Sequence, residues 1–330
     1  MLRCMERLVA WWDRRQVVLY LAAIVMGAVV GLLIPAVAHP LERAITPVLG
    51  LLLFATFLGV PFARFGRAFR DWRFLGIVVV VNFMIVPIVV FGLSRFVAGD
   101  AALLVGVLFV LLTPCVDYVI VFSGLAGGAR DRLLAATPIL MVLQIVLLPV
   151  YLWLMAGPSV VSAFDPRPFV QAFLLLIALP LVLAAGVQLL APRFPAGRAV
   201  ETIMAAAMVP FMMLTLAVVV GSQVFQVSGS LHELLIVVPL FVVFVLVVAP
   251  VGAIVARMAR IDIAGRRAVT FSGVTRNSLV VLPLALALPA AFALAPLVVV
   301  TQTLVELCAM VVMVAVIPRL ITGADAAGQR

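Results

Sequence analysis

The sequence predicts an all-α membrane protein with ten transmembrane helices, and three observations lead to this fold class. The chain is 67% hydrophobic and 11% charged, with a mean hydropathy of +1.37, a composition far from that of soluble globular domains. Proline, glycine and charged residues divide it into ten apolar segments, each near the length of about 20 residues that a helix needs to cross a bilayer. The arginines then fall mainly on one predicted side of these segments.

The ten predicted spans follow one another with short connections. They cover approximately residues 16 to 36, 45 to 63, 74 to 94, 101 to 126, 133 to 156, 169 to 190, 202 to 221, 234 to 256, 268 to 290 and 296 to 317. Four arginines precede the first span and no small-residue cleavage pattern follows it. We therefore interpret the first apolar run as a retained span rather than a signal peptide.

The arginine distribution tests this span count independently, because one missed or invented span would mix the two sides. The net charge is +9, every basic residue is an arginine, and eighteen of the 22 lie in inner segments if the N-terminus is inside. These eighteen are Arg3, Arg7, Arg14, Arg15, Arg64, Arg67, Arg70, Arg73, Arg130, Arg132, Arg193, Arg198, Arg257, Arg260, Arg266, Arg267, Arg319 and Arg330. The outer loops hold Arg43, Arg95 and Arg167, and Arg276 lies within a span.

This split predicts a multi-pass protein of the inner (plasma) membrane with both termini cytoplasmic. A nucleic-acid footprint would concentrate positive charge on one soluble face. The arginines instead form short clusters between long apolar runs, so the expected partner is the lipid bilayer and not nucleic acid. Oligomeric state leaves no signal in the composition, because lipid-facing surfaces and helix contacts are equally apolar.

Ten spans divide into two sets of five, which we predict as residues 1–156 and 157–330. An odd number in each set makes the second set enter the membrane from the opposite side, so the halves form an inverted repeat. Interruptions fall in the fourth span of each half: Thr113-Pro114-Cys115 in span 4, and Thr275-Arg276-Asn277-Ser278 in span 9. Pro114 has no N–H and blocks the preceding turn, which frees carbonyls that only a cavity or protein can receive.

Three ionisable residues lie within the predicted spans: Asp117, Arg276 and Glu306. Such side chains are costly at bilayer depth and normally face a bundle interior or a wet cavity. Asp117 and Arg276 share a predicted depth, which favours an ion pair, and Gln302 lies one turn before Glu306. The charges sum to minus one, so one carboxylate is left to titrate. The alternative interpretation is that the charges only lock helices together, and Asn82 fits such an interhelical hydrogen bond.

The three cysteines, Cys4, Cys115 and Cys308, lie far apart without metal-ligand spacing. This spacing argues against a disulfide framework or a zinc site, and no motif indicates a cofactor. Cys4 and Cys308 fit the role of small apolar residues. Cys115 differs because it follows a helix-breaking proline and precedes an acid by two residues, and thiolate sulfur is a ligand for soft, thiophilic species.

The stretch Leu112-Thr113-Pro114-Cys115-Val116-Asp117-Tyr118 resembles the arsenite-efflux permeases of the bile acid:sodium symporter superfamily. Span 9 is similar too, since Thr275-Arg276-Asn277-Ser278 falls where superfamily members carry a polar pair ending in Asn at their helix crossing. The resemblance covers essentially the whole chain in span number and order. It implies two inverted five-helix repeats, with spans 4 and 9 unwound and crossing.

The resemblance also implies a core of spans 3 to 5 and 8 to 10 that moves against a panel of spans 1, 2, 6 and 7, and a role for Cys115 in moving arsenite. The sequence departs from the family pattern in two places. Sodium-coupled relatives carry a carboxylate and often Gln where this chain has Ser272 and Arg276. The glutamate that many arsenite permeases carry just after the polar pair is missing, with Ser278, Leu279 and Val280 there instead.

The leading functional hypothesis is efflux of trivalent arsenic oxyacid, or a similar small oxyacid, by proton antiport. Cys115, Pro114, Thr113, Asn277, Thr275 and Ser278 are the predicted substrate-binding residues, and Asp117, Arg276 and Glu306 the predicted coupling charges. A fixed guanidinium at Arg276 takes the space and charge of a coupling cation, which disfavours sodium.

The alternative hypothesis is symport of an organic anion that Arg276 binds as a bidentate partner. An intramembrane enzyme is disfavoured, because His39 and His232 lie in or beside outer loops and no Ser-His dyad is available at bilayer depth.

Overall fold

The computed structural model describes residues 2–59, 71–116, 118–157, 174–229 and 231–322, and these ranges are almost entirely helical. Within them the one β-type pairing is an isolated bridge between Pro114 and Arg276. Several residues used in the sequence predictions lie outside the described ranges: Asp117, Arg64, Arg67, Arg70, Arg167 and Arg330.

The helices that the argument uses are numbered here in chain order. They are α1 (Leu2–Leu33), α2 (Ala38–Leu58), α3 (Trp72–Val97, with a π-helical turn over Val81–Ile85), α4 (Ala101–Leu111), α5 (Tyr118–Leu125), α6 (Arg130–Ala156), α7 (Leu179–Leu190), α8 (Pro195–Ala206), α9 (Met208–Gly229), α10 (Val237–Met258), α11 (Ile263–Val274), α12 (Ser278–Leu286) and α13 (Leu294–Leu320).

The described chain has five helices that are long and apolar enough to cross a membrane. They contain α2, α3, α6, α10 and α13, and a sixth candidate is the pair α8 and α9, which meet at a bend of 54°. The shorter apolar helices include α4 and α7. The protein is therefore an all-α, multi-pass membrane protein. The count of ten spans and the inverted repeat stay predictions.

The chain divides into two compact units, Met1–Phe62 with Pro166–Leu231, and Ala63–Asp165 with His232–Arg330. The first unit contains α1, α2 and α7 to α9, and the second contains α3 to α6 and α10 to α13. The predicted repeats, residues 1–156 and 157–330, and the roles of panel and core stay predictions.

In the first unit, glycines allow α1 and α9 to approach closely. A methyl group built on Gly27 would overlap the backbone of Ala217, and one built on Gly31 would overlap that of Gly221. Gly27 and Gly31 form a G-x-x-x-G pair, the pattern that lets membrane helices pack backbone to backbone. Any side chain larger than hydrogen at these positions would separate the helices.

In the second unit, α4 is enclosed by protein on every side. It begins after Asp100, whose carboxylate accepts the N–H groups of Ala102 and Leu103 at 2.8 and 3.0 Å, as a helix N-cap does. Every residue from Ala102 to Leu111 is buried, as expected for a helix that is apolar all round. At Gly106, an added methyl group would collide with α13. This close packing fixes the position of the end of α4, where the candidate site begins.

Candidate functional site

The first element of the site is a break in the helix between α4 and α5. α4 ends at Leu111, and the chain resumes a helical course only at Tyr118. Pro114 lies in the gap, where its ring and its missing N–H prevent a regular continuation. The hydroxyl of Thr113 donates to the carbonyl of Phe109 at 2.9 Å, so it satisfies one of the carbonyls that the break leaves without a helical partner.

A second break, between α11 and α12, has the same local arrangement. α11 ends at Val274, and the hydroxyl of Thr275 donates to the carbonyl of Phe271 at 2.6 Å. The helix resumes at Ser278. The hydroxyls of Thr113 and Thr275 thus both bond back to the preceding helical turn, although the Phe271 carbonyl also accepts the backbone N–H of Thr275 at 2.9 Å. Their predicted role in substrate binding stays a prediction.

The two breaks lie side by side as a short antiparallel bridge. Residues 113–115 pair with residues 275–277: the N–H of the third residue in each segment donates to the carbonyl of the first residue in the other, at 3.1 and 2.9 Å. Pro114 and Arg276 face each other between these two bonds, which is the position in an antiparallel pair that exchanges no hydrogen bonds. A proline, which has no N–H to donate, is therefore tolerated there without leaving an unsatisfied carbonyl acceptor on the partner.

The guanidinium of Arg276 lies in a cage of neutral oxygens. Arg276 is 0% exposed, the largest of the fully buried side chains. Its Nη1 donates to the carbonyl of Leu111 at 3.2 Å. Its Nη2 donates to Oδ1 of Asn82 at 2.8 Å, to the carbonyl of Ser272 at 2.8 Å and to that of Gly273. The carbonyls belong to the ends of α4 and α11, so one cation caps the negative ends of two half-helices.

An aromatic ring also contacts this guanidinium. Among the described residues, no carboxylate forms a direct ion pair with it. The ring of Phe244, a buried residue of α10, lies 5.6 Å from the guanidinium carbon, within the range of a cation–π contact. Asn82 is held in turn, since its Nδ2 donates to the hydroxyl of Ser272 at 3.0 Å. Asn82 lies in the π-helical turn of α3, an irregularity common at functional sites. The predicted partner Asp117 lies outside the described residues.

Glu306 on α13 joins both breaks through its two carboxylate oxygens. Oε2 accepts the backbone N–H of Arg276 at 2.8 Å and a bond from the side-chain amide of Gln302. Oε1 lies 2.7 Å from the hydroxyl of Tyr118, which also lies 2.9 Å from the carbonyl of Arg276. Glu306 is 1% exposed. The predicted pairing of Gln302 with Glu306 is present, and Glu306 meets Arg276 through the main chain rather than through the guanidinium.

The remaining predicted residues lie at the same place. Cys115 is completely buried and is near enough to the Arg276 guanidinium to interact with it electrostatically. Asn277 and Ser278 are each 1% exposed, and within the described residues neither side chain has a hydrogen-bond partner. Ser278 begins α12. Polar groups that are buried without a partner call for an explanation such as a bound water, ion or ligand.

Sequence reasoning underrated two residues of this site. The sequence alone predicts for Asn82 only a hydrogen bond between helices, and it gives Tyr118 no role beyond the end of the motif 112–118. A signal for Asn82 exists in the composition, since Asn82 and Asn277 are the only asparagines of the chain. Tyr118 directly follows the break, so its hydroxyl is well placed to bond backbone groups that lack helical partners.

Broken helices around a buried charged cluster, in a multi-pass helical protein, define the class of this protein as a membrane transporter. The comparison with protein families agrees, because the model of the Sodium Bile acid symporter family matches residues 46–230. This match covers more than half of the chain, and the chain therefore belongs to the Sodium Bile acid symporter family. It includes the break at Pro114 and ends before Arg276 and Glu306. No curated protein matches the chain.

The contribution of the oxygen cage around Arg276 to the stability of the protein can be tested by removing one of its acceptors. Replacing Asn82 by leucine removes an acceptor from a buried cation, which costs about 1–3 kcal/mol or more. We expect N82L to lower the unfolding temperature of the purified protein in detergent by several degrees.

The matched control is Q144L. Gln144 is also buried in the second unit, on α6, and its Oε1 has no partner among the described residues, so the apolar substitution should cost less. Equal destabilisation by N82L and Q144L would show that the hydrogen bond between Asn82 and Arg276 contributes no more to stability than an ordinary buried amide does.

Proposed function

We propose that this transporter exports a trivalent arsenic oxyacid, or a chemically similar small oxyacid, in exchange for protons. The observation that carries this proposal is the position of Cys115, a buried thiol at the break of α4 and α5, beside the Arg276 and Glu306 cluster. A soft sulfur ligand at such a place suits a soft, thiophilic substrate. Broken half-helices are where transporters of other families hold substrates and ions.

The polar groups beside Cys115 suit the oxygens of such a substrate. Asn277 offers both an amide N–H donor and a carbonyl acceptor, and Ser278 offers a hydroxyl, all buried without a partner in the described residues. α5 and α12 both begin at the breaks, and helix N-termini favour oxygen-rich or negatively charged ligands. We infer that the substrate is held by sulfur on one side and by these hydrogen-bonding groups on the other.

Glu306 is the proposed proton carrier. The Tyr118 hydroxyl has one proton, yet it lies within bonding distance of both the Arg276 carbonyl and Oε1 of Glu306. If Glu306 is protonated on Oε1, it donates to Tyr118 and Tyr118 donates to the carbonyl. If Glu306 is ionised, it accepts from Tyr118 instead. The bonds to Oε2 are kept in both states, so a change in the protonation of the carboxyl group requires only that the Tyr118 hydroxyl turn.

Competition between proton and substrate accounts for exchange rather than co-transport. A neutral oxyacid brings O–H donors and therefore needs acceptors. An ionised carboxylate is an acceptor only, whereas a protonated one has turned an acceptor position into a donor. Deprotonated Glu306 should therefore favour the substrate-loaded state, and protonation should favour release.

Sodium coupling is disfavoured by the cage of Arg276. In transporters with broken helices, unwound carbonyls and the C-terminal ends of half-helices coordinate sodium. Here the corresponding groups, the carbonyls of Leu111, Ser272 and Gly273, accept hydrogen bonds from the guanidinium. A tethered cation thus occupies the kind of position that a coupling ion would take.

Organic-anion symport is the second candidate, and the family match favours it. As predicted from the sequence, organic-anion symport requires the Arg276 guanidinium to bind the anion. Both amino groups of that guanidinium already donate to protein oxygens, and Nε is the only guanidinium nitrogen without a partner in the described residues. An organic anion would therefore have to bind at the start of α12. Sodium-stimulated accumulation of a labelled organic anion, without any change in arsenite tolerance, would favour this candidate.

The role of Cys115 is tested by arsenite uptake into everted vesicles that are acidified inside. We expect C115S to reduce uptake to the level of vesicles without the transporter, because a hydroxyl is a hard ligand that cannot replace thiol sulfur. C308S is the matched control, since Cys308 is exposed on α13, and it should transport normally. Normal uptake by C115S would remove the thiol from the mechanism.

The role of Glu306 is tested by E306Q in the same vesicles. The amide can donate to Tyr118 and accept the bonds now made to Oε2, so the geometry is kept while the proton-binding site is lost. We expect proton-driven uptake to disappear, while exchange of labelled for unlabelled arsenite without a pH gradient continues. E42Q, at a partly exposed glutamate paired with His39, should leave both processes unchanged. Proton-driven uptake by E306Q at the wild-type level would contradict the proposal.

A further inference from the structure

A deep apolar groove runs between α10 and α13 in the second unit, away from the charged cluster. Its volume is about 770 Å³, and its lining runs from Val242 to Ala253 on α10 and from Leu304 to Leu320 on α13, with Ile321 just after it. Every lining residue is apolar or a cysteine, and the cysteine is Cys308. Several of the lining side chains, including Leu246 and Val312, are exposed on the protein surface.

The α10 wall of the groove has about the length of one bilayer leaflet, and the wall formed by residues 304 to 321 is longer, at about 25 Å. The stretch from Val242 to Ala253 rises by about 16 Å along α10, at 1.5 Å per residue. Half of a hydrocarbon core of about 30 Å is about 15 Å. A groove of this length and apolarity fits an acyl chain that lies along the two helices.

One end of the groove carries positive charge. Arg257 follows the lining residue Ala253 by four positions on α10, and Arg319 follows the lining residue Val316 by three positions on α13. Residues three or four apart are neighbours on a helix surface, so each arginine lies one turn beyond a lining residue at the C-terminal end of its helix. Both are exposed. The C-terminal ends of the two helices that line the groove thus each carry an exposed guanidinium group.

We propose that this groove is a binding site for an anionic phospholipid, whose acyl chain fills the groove and whose phosphate is bound by Arg257 and Arg319. Guanidinium groups bind phosphate oxygens as bidentate partners, and arginines at the ends of membrane helices reach towards the head groups. Basic pockets between transmembrane helices bind anionic head groups in this way.

The charges favour a lipid over a second copy of the chain. Two copies in one membrane have the same orientation, so symmetric pairing through this groove would bring Arg257 and Arg319 of both copies to the same depth. Like charges at one interface repel each other. An anionic lipid supplies both the apolar chain and the opposite charge, and it is therefore the occupant that matches the whole surface.

The experiment is a lipid titration of the purified full chain in detergent, followed by native mass spectrometry. Phosphatidylglycerol and phosphatidylcholine with identical acyl chains are compared. We expect tighter binding of phosphatidylglycerol by the wild type. The double variant R257Q/R319Q should bind phosphatidylglycerol roughly 30-fold more weakly, from about fivefold per arginine, and no more tightly than phosphatidylcholine.

Matched variants separate the head-group contact from the acyl-chain contact. R193Q/R198Q removes two exposed arginines at α8 and just before it, and it should bind both lipids as the wild type does. A309F fills the groove and should weaken binding of both lipids, whereas A315F, an exposed position of α13 outside the lining, should not.

Two results would overturn the proposal. The first is equal binding of the two lipids by the wild type, or unchanged phosphatidylglycerol binding by R257Q/R319Q. The second is a dimer that A309F disrupts and that excludes lipid from the groove, since a second copy would then be the occupant. The unfolding temperature of each variant, measured in the same detergent, shows that lost binding does not come from lost folding.

Discussion

The burial of one guanidinium, that of Arg276, is the constraint on which the arrangement of the second unit depends. A buried charge costs several kcal/mol unless its donors are satisfied, and Arg276 is 0% exposed. Its acceptors come from the π-helical turn of α3, the end of α4 and the end of α11. An unbroken helix uses its carbonyls internally, so these carbonyls are available only because the helices end there. The breaks and the arginine therefore require each other.

This constraint divides the site into two electrostatic halves. The ends of α4 and α11 direct their partial negative charge at the guanidinium, while the starts of α5 and α12 carry the opposite partial charge. Cys115 and Asn277 are the last residues of the two bridge segments, and Ser278 begins α12. Glu306 connects the halves, because it accepts the N–H of Arg276 and contacts Tyr118, the first residue of α5. A proton on Glu306 is thus positioned to affect both the bridge and the start of α5.

Much of this site could be predicted from local sequence features, and the rest could not. The proline in an apolar run indicated the break at Pro114, and charges that cannot face lipid indicated that Arg276 and Glu306 are enclosed. The spacing of four residues placed Gln302 beside Glu306. The partners of the guanidinium were not predictable, because Asn82 and Leu111 are separated from Arg276 by 194 and 165 residues. Only the packing of α3, α4 and α11 brings these groups together, and no local pattern records it.

The most direct test of the central role of the guanidinium is chemical rescue of R276A. The alanine variant leaves the oxygen cage without its cation, so we predict a lower unfolding temperature that millimolar guanidinium or sodium partly restores, with choline as the inert control cation. The wild type, and R95A at an exposed arginine, should respond to none of these cations. An R276A protein that is as stable as the wild type, or one that no cation stabilises relative to choline, would contradict the account.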